Sequence, residues 1–399
     1  MFRGINIVRG GIYDRGIQHG KNARELIDIN LKRFWTGIEA SGFSNHDILR
    51  AAESQKGVLG LNTLKEIAGI AAGAGRNFVD LLAFNLFHSL ILPEECTVYM
   101  AVGSASSTGD TVFGKNSDKV GGSSLVGDRF YKNKEINVIL ISEAEDGSRI
   151  IGVSAAGATG LKLGMNSKGV AAGTNIGRTK ELKAKKMDLT QLRAIDRAQI
   201  IRDGLEFGAA LPAAQQAAAK LIESPTATPG TVEFADAREA YIIESSYDRI
   251  AMKKVVDDID SRSNCFVLLK ELNQEDDLSS ICRYIRTQEM LKAKKGQVTV
   301  DDLKAVSMDH AHGPGPDSIC RHDSRIEEET SLAAGVMEIN GKNPEKSKIS
   351  LALGKPCQAW REAEGHITLT MDFKLEDIPE GFINGEVFKK YYIEEARNE

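Results

Sequence analysis

Apolar positions return at helical spacing through the first 95 residues. Leu26, Ile29 (or Ile27), Phe34 and Ile38 form one series, and Leu49, Leu59, Leu64, Ile67 and Ile70 form a second. Gly73 and Gly75 close the second series as a helix C-cap does. Phe78 to Leu92 is more continuously apolar and predicts a further helix, stopped by Pro93. From Cys96 the texture changes to short β-type runs: Cys96 to Val102, Thr111 to Gly114, Ile136 to Ser142, Arg149 to Ser154, Leu161 to Met165 and Val170 to Thr174. Asp146-Gly147 and Ser167-Lys168-Gly169 are the hairpin signals between them. Helical periodicity returns at Leu189 to Phe207 and Ala213 to Ile222. Strands are then predicted at Thr231 to Ala235, Ala240 to Glu244 and Asn264 to Leu269. A helix pair follows, at Leu278 to Lys292 and Val300 to Met308, and strands close the chain at Leu332 to Ile339, Ile349 to Leu353 and His366 to Asp372.

This order, with few parallel crossovers, predicts an α+β fold in which helices cover antiparallel sheets, and a four-layer αββα sandwich satisfies it. No internal repeat is visible, and the linker-like stretches are Glu223 to Gly230 and Asn340 to Lys348.

Composition narrows the classes of partner. At 399 residues, 42% of them hydrophobic, the chain can bury a substantial core. Charged residues make up 27% with a net charge of -5 and both signs interspersed, which speaks against a nucleic-acid footprint or a polybasic membrane patch. The lysines at 183–186 and 292–295 read as solvated surface. The opening Met-Phe-Arg-Gly-Ile-Asn lacks a secretory pattern, so the expected location is cytoplasmic. Phe78 to Leu92, interrupted by Asp80, Asn85 and His88, is too short to span a bilayer. A homo-oligomer is compatible with the chain.

The five cysteines, Cys96, Cys265, Cys282, Cys320 and Cys357, are widely spaced and contain no C-x-x-C pair, against a disulfide scaffold or zinc ribbon. Cys96 stands out because it opens a strand just after a proline and two glutamates, where a chain break can be exposed; the plain alternative is an inert core residue. A thiol is only slightly ionised at neutral pH, whereas a free α-amine has a pKa of about 8. If the bond between Glu95 and Cys96 is cut, the new amine can take the proton of its own thiol, directly or through water, without a histidine. The same thiol can perform the cut by attacking the Glu95 carbonyl.

Several segments in order carry a more specific signal. They are Tyr13-Asp14-Arg15-Gly16-Ile17-Gln18-His19-Gly20, Cys96-Thr97, Gly114-Lys115-Asn116-Ser117-Asp118, Gly164-Met165-Asn166-Ser167-Lys168-Gly169, Asn175, Asp309-His310 and Ser318-Ile319-Cys320-Arg321-His322. Together they resemble the penicillin acyltransferase family (acyl-CoA:6-aminopenicillanate acyltransferase and related hydrolases) of the N-terminal-nucleophile superfamily, over nearly the whole chain. Ser117 departs from the aromatic residue usual in that family, and the segment around it resembles the secernin and dipeptidase branch. Glu95 stands where a glycine is frequent.

The resemblance implies a self-processed cysteine amide hydrolase acting on a small acylated amine or amino acid, with acyl transfer to an amine as the alternative outcome. It makes Cys96 the nucleophile and Asp118 the group that holds its α-amine. Asn175 would aim its amide near the nucleophile, Asn264 is the candidate oxyanion donor, and Arg321 would clamp a substrate carboxylate or brace the nucleophile. Asn116, Thr97 and His310 are candidate substrate contacts. It also implies that residues 1–95 form a helical α chain that stays with the β chain, residues 96–399, as one folding unit, with no cofactor.

Other readings stay open at this point. A fold that kept the residues and lost the reaction would be a binding protein. Cys96 could pair with His310 in a papain-like dyad. Asp309, His310, His312 and His322 suggest a metal site, but Gly313-Pro314-Gly315-Pro316 makes a rigid loop with no i, i+4 helical pair, so no metal is expected. Cys320 and Cys357 read as buried small residues.

Overall fold

The structure is a computed structural model that describes residues 4–91, 94–119, 136–181, 195–224, 226–322 and 330–390. Pro93, the lysines at 183–186 and the start of the helix expected from Leu189 lie outside the described residues.

Fourteen strands among the described residues form two sheets. The first contains β1 (Ile5–Arg9), β4 (Asn137–Glu143), β5 (Arg149–Ala155), β6 (Leu163–Asn166), β7 (Ala171–Ile176), β8 (Gly230–Ala235), β9 (Glu239–Ser245) and β10 (Ile250–Val256), in that spatial order. The second runs β11 (Ile259–Arg262), β2 (Glu94–Ala101), β3 (Val112–Lys119), β12 (Thr330–Glu338), β13 (Lys348–Leu353) and β14 (His366–Thr370). The sheets face each other: a Cβ on Gly173 of β7 would lie 3.1 Å from the Phe113 ring of β3 and 3.4 Å from Val98 of β2. Behind the first sheet, Val232, Phe234, Tyr241 and Ile243 pack on α6 (Arg197–Gly204) and α7 (Ala210–Glu223) through Ile200, Ile201, Ala213 and Ala217. Behind the second, Tyr99, Ala101 and Val336 pack on α8 (Leu278–Lys292) and α9 (Val300–Ser307) through Leu291, Leu303 and Val306. The chain is therefore α+β, with the layer order αββα that the order of predicted elements implied.

The N-terminal quarter contributes α1 (Ile12–Asn22), α2 (Arg24–Ala40), α3 (Asn45–Gln55), α4 (Leu61–Ala74) and α5 (Phe78–Ile91). These share one apolar cluster with the inter-sheet core. The expectation of a wholly helical segment 1–95 is corrected at both ends. Ile5–Arg9 pairs in parallel with β4, and Glu94 and Glu95 already belong to β2. Five residues at a sheet edge are too few to register as a periodic pattern. Gly75 is the helix C-cap, with φ of +65°, whereas Gly73 lies inside α4. There Gly69 and Gly73 face Gly16 and Gly20 of α1: a Cβ on Gly69 would sit 2.3 Å from the Tyr13 carbonyl, and one on Gly16 would sit 2.4 Å from that of Glu66. The glycines of the opening motif thus serve a close helix crossing.

Two strand expectations also need correction. Asn264 to Leu269 is not a strand. The N–H groups of Val267, Leu268 and Leu269 donate to the Glu244 carboxylate, and that of Phe266 donates to Asn273 Oδ1, so side chains replace a ladder. The strand expected to end at Gly114 instead continues through Lys119, carrying Lys115, Asn116, Ser117 and Asp118 into the sheet. Among the described residues, no helix is long and apolar enough to cross a membrane.

Candidate active site

Strands β2 and β3 lie side by side with Glu95 opposite Asp118, Cys96 opposite Ser117 and Thr97 opposite Asn116. Cys96 is therefore the third residue of β2, not its first. Side chains alternate across a pleated sheet. Val98 and Met100, in phase with Cys96, belong to the inter-sheet core, while Tyr99 and Ala101, in phase with Glu95, belong to the cluster under the helices. The thiol and the acidic pair thus occupy opposite faces of one sheet.

On the thiol's face lies a cavity of about 50 Å³ whose lining includes Cys96, His88, Lys115, Lys162, Thr174 and Arg197. Lys115 Nζ donates to the Lys162 carbonyl at 2.9 Å, and Arg197 is held below its usual pKa by burial. The cavity has room for a few water molecules. Cys96 itself is 3% exposed.

On the other face Glu95 is 1% exposed inside an arginine cage. Arg321 Nη1 donates to its Oε2 at 2.6 Å, Arg283 Nη2 stands 3.5 Å from the same oxygen, and Arg178 pairs with Oε1. Burial alone would raise the pKa of this carboxyl, but Arg321, Arg178 and Arg283 outweigh it and hold the group at about 2. Asp118 faces fewer partners, and burial pushes it up to about 6 against Arg321 and Arg283. Its Oδ1 accepts from Ser331 Oγ at 2.6 Å. Its Oδ2 accepts no hydrogen bond and lies 3.9 Å from Arg321 Nε. A register shift in β12 between Ser331 and Ala333, opposite Asp118 and Ser117, is a bulge of the kind that re-aims a side chain.

Asn264 and Arg283 hold the peptides on either side of Cys96, Asn264 at its N–H and Arg283 at its carbonyl. Arg283 Nη1 donates to the Cys96 carbonyl and to Thr97 Oγ1, each at 2.9 Å, and its Nη2 donates to Asn264 Oδ1 at 2.7 Å. The same Asn264 oxygen accepts from the Cys96 N–H at 3.4 Å, while Asn264 Nδ2 donates to the Ile176 carbonyl at 2.8 Å. Asn264 therefore meets the Cys96 nitrogen through its oxygen, while one of its two amide N–H groups goes to the Ile176 carbonyl. Asn175 likewise spends its amide on the Arg262 and Ser263 carbonyls, at 3.0 and 3.1 Å, and so holds the turn that presents Asn264.

The structure brings Cys96, Thr97, Asp118, Asn264, Asn175 and Arg321 into one neighbourhood and gives Asn116 and His310 other surroundings. Thr97 is fully buried and shares Arg283 with the Cys96 carbonyl. Asn116 accepts from Tyr99 Oη at 2.9 Å and donates to the Ser307 and Ile319 carbonyls at 3.0 Å, pinning α9 and the Arg321 segment to β3. His310 is absent from the cavity lining at Cys96 and instead meets His322. The sequence reading had no role for Arg178, Arg283, Lys115 or Arg197. A cation inside a strand, as at Lys115, was the available signal for one of them.

No protein-family model matches the chain, and no curated protein sequence matches it. Among solved structures, it is similar to a cysteine-to-alanine mutant of a conjugated bile acid hydrolase from Clostridium perfringens, at 12% identity over 71% of this chain and 95% of that one, with a TM-score of 0.40. It is also similar to the N-acylethanolamine-hydrolyzing acid amidase ortholog of Caenorhabditis elegans, at 15% identity over 61% and 92% of the two chains, with a TM-score of 0.38.

Proposed function

We propose that this protein is a self-processing amide hydrolase of the N-terminal-nucleophile kind, in which Cys96 cuts the bond to Glu95 and then attacks the amide of a small acylated amine. The observation that carries this reading is the placement of the Cys96 backbone nitrogen. It is bonded to Asn264 and lies one residue from a caged carboxylate, while the thiol of the same residue lines a closed, cation-lined cavity.

In the processing step Cys96 Sγ attacks the Glu95 carbonyl carbon and the Cys96 nitrogen leaves with the thiol proton, giving a thioester and a free α-amine. Water then cleaves the thioester, releasing the Glu95 carboxylate and restoring the thiol. In turnover the α-amine takes the thiol proton, sulfur attacks the substrate carbonyl, and the amine product departs with that proton before water frees the acyl group. Asn264 Oδ1 is set to orient the amine. Asp118 supplies the negative charge that an α-ammonium needs. The oxyanion would develop beside Lys115, Lys162 and Arg197 of the cavity lining, and a well-placed donor there is worth about 3 kcal/mol of barrier.

The parts on either side of residue 95 share β1–β4 pairing and one apolar cluster, which supports their staying together as α and β chains after the cut. The test is intact mass under denaturing conditions for the wild type beside Cys96→Ala. Fragments meeting between Glu95 and Cys96 in the wild type alone support the mechanism. One uncut chain in both, with no thioester trapped by hydroxylamine, refutes it.

A further inference from the structure

Away from the thiol cavity, four side chains converge that the proposed reaction does not use. His310 follows α9, Cys320 and His322 lie on either side of Arg321, and Cys357 comes from the short helix α10 (Pro356–Ala359) after β13. One ligand atom from each lies within 4.8 Å of all the others. His322 Nε2 is 3.1 Å from His310 Nε2, 3.1 Å from Cys357 Sγ and 3.8 Å from Cys320 Sγ.

Hydrogen bonding does not account for this arrangement. A ring nitrogen carries at most one proton, yet His322 Nε2 faces a nitrogen and two sulfurs at once. Four lone-pair atoms crowded about one point are what a cation organises. Tetrahedral zinc, with Zn–N near 2.0–2.1 Å and Zn–S near 2.3 Å, separates its ligand atoms by about 3.3–3.8 Å. The observed spacings bracket that range. Two sulfurs with two imidazoles select zinc over the oxygen-preferring calcium and magnesium.

We infer that His310, Cys320, His322 and Cys357 form a structural Cys2His2 zinc site that locks the 309–322 loop and holds Arg321 against Glu95 and Asp118. Consecutive side chains in an extended segment point to opposite sides. With Cys320 and His322 fixed on the metal, Arg321 is directed away from it, where its guanidinium reaches Glu95 and Ser279 Oγ, the latter at 2.8 Å. Backbone bonds from Cys320 N to the Asp309 carbonyl and from His322 N to the Pro314 carbonyl close the loop around the ligands. The fourth ligand, Cys357, lies outside the loop, so a motif search within the loop finds only three of the four.

The test uses the full chain, expressed with added zinc, purified without chelator and assayed by elemental mass spectrometry. One zinc per chain is expected. His310→Ala and Cys357→Ser should each retain about tenfold less zinc or lower, while His312→Ala, in the same loop, retains all of it. Because a ligand variant may misfold, His310→Cys provides the control: a substitute ligand should restore the zinc. In the cobalt-loaded protein, thiolate-to-metal absorption should fall by about half in Cys357→Ser, as one of two thiolates is lost. Wild-type protein with less than a tenth of an equivalent of zinc overturns the assignment. So does a Cys320–Cys357 disulfide in a non-reducing peptide map, or a loss of zinc in His312→Ala equal to that in His310→Ala.

Discussion

Replacing Glu95 by glutamine in a Cys96→Ala background, where the 95–96 bond stays whole, separates the arginine cage from any processing. The fall of this carboxyl from its ordinary 4.5 to about 2 in the folded chain is worth about 3 kcal/mol of stability at neutral pH. Breaking a buried ion pair by removing one partner costs about 3–5 kcal/mol in general. The folded value lies below the unfolded one, so the contribution is nearly complete above pH 4.5 and disappears as pH falls through 2. It should fall to about 1 kcal/mol at pH 3. Urea denaturation of Cys96→Ala with and without Glu95→Gln, at these pH values and at pH 7, measures the gap directly. A gap below about 1 kcal/mol at pH 7, the value of an exposed pair, refutes the cage. A gap that fails to narrow by pH 3 refutes its electrostatic origin.

Two further outcomes follow from other parts of the molecule. Glu233, fully buried on β8 and bonded by Thr231 Oγ1, is pushed by burial up to about 7. Its folded pKa exceeds the unfolded 4.5, so stability is lost as pH rises from 4.5 to 7, and Glu233→Gln should gain about 2–3 kcal/mol on the wild type between pH 5 and 8; a pH-independent difference on denaturation contradicts this. Gly69→Ala would force a Cβ to within 2.3 Å of the Tyr13 carbonyl and should lower stability by about 1–3 kcal/mol, read as a fall in Tm; an unchanged Tm would mean that α1 and α4 can separate freely.

The parts of the fold that could be read from the sequence are those whose burial follows hydrophobic periodicity. Both hairpin glycines, Gly147 and Gly169, sit at positive φ between antiparallel strands, as their neighbours implied. The site was legible only as a set of residue types, because its side chains break that periodicity. On α8 the buried stripe is Ser280, Arg283, Thr287 and Leu291, while Leu278, Ile281 and Ile285 are exposed. An amphipathic reading of this helix therefore points Arg283 to solvent, when the residue is fully buried against Cys96 and Glu95. In β3 the run Lys115 to Asp118 looks like a turn because polar residues seldom fill a central strand. Here three of them find their partners only in the tertiary structure: a carbonyl for Lys115, two carbonyls and a phenol for Asn116, and a serine on a bulged strand for Asp118. His310 and His322 did suggest a metal site in the sequence, but Cys320 and Cys357 read as buried small residues, because Cys357 lies far along the chain from His310.

The position of a glutamate before the proposed nucleophile then has a physical account. Within the cage three guanidiniums face two carboxylates, Glu95 and Asp118. Hydrolysis of the 95–96 bond at neutral pH adds one carboxylate, on Glu95, and one ammonium, on Cys96, so the net charge of the group does not change. The new carboxylate appears among the guanidiniums, and the new ammonium appears where Asn264 Oδ1 already accepts from the same nitrogen. Under the proposed cleavage both new charges would therefore meet groups already in place, whereas a small residue at position 95 would leave Arg178, Arg283 and Arg321 without the carboxylate they share.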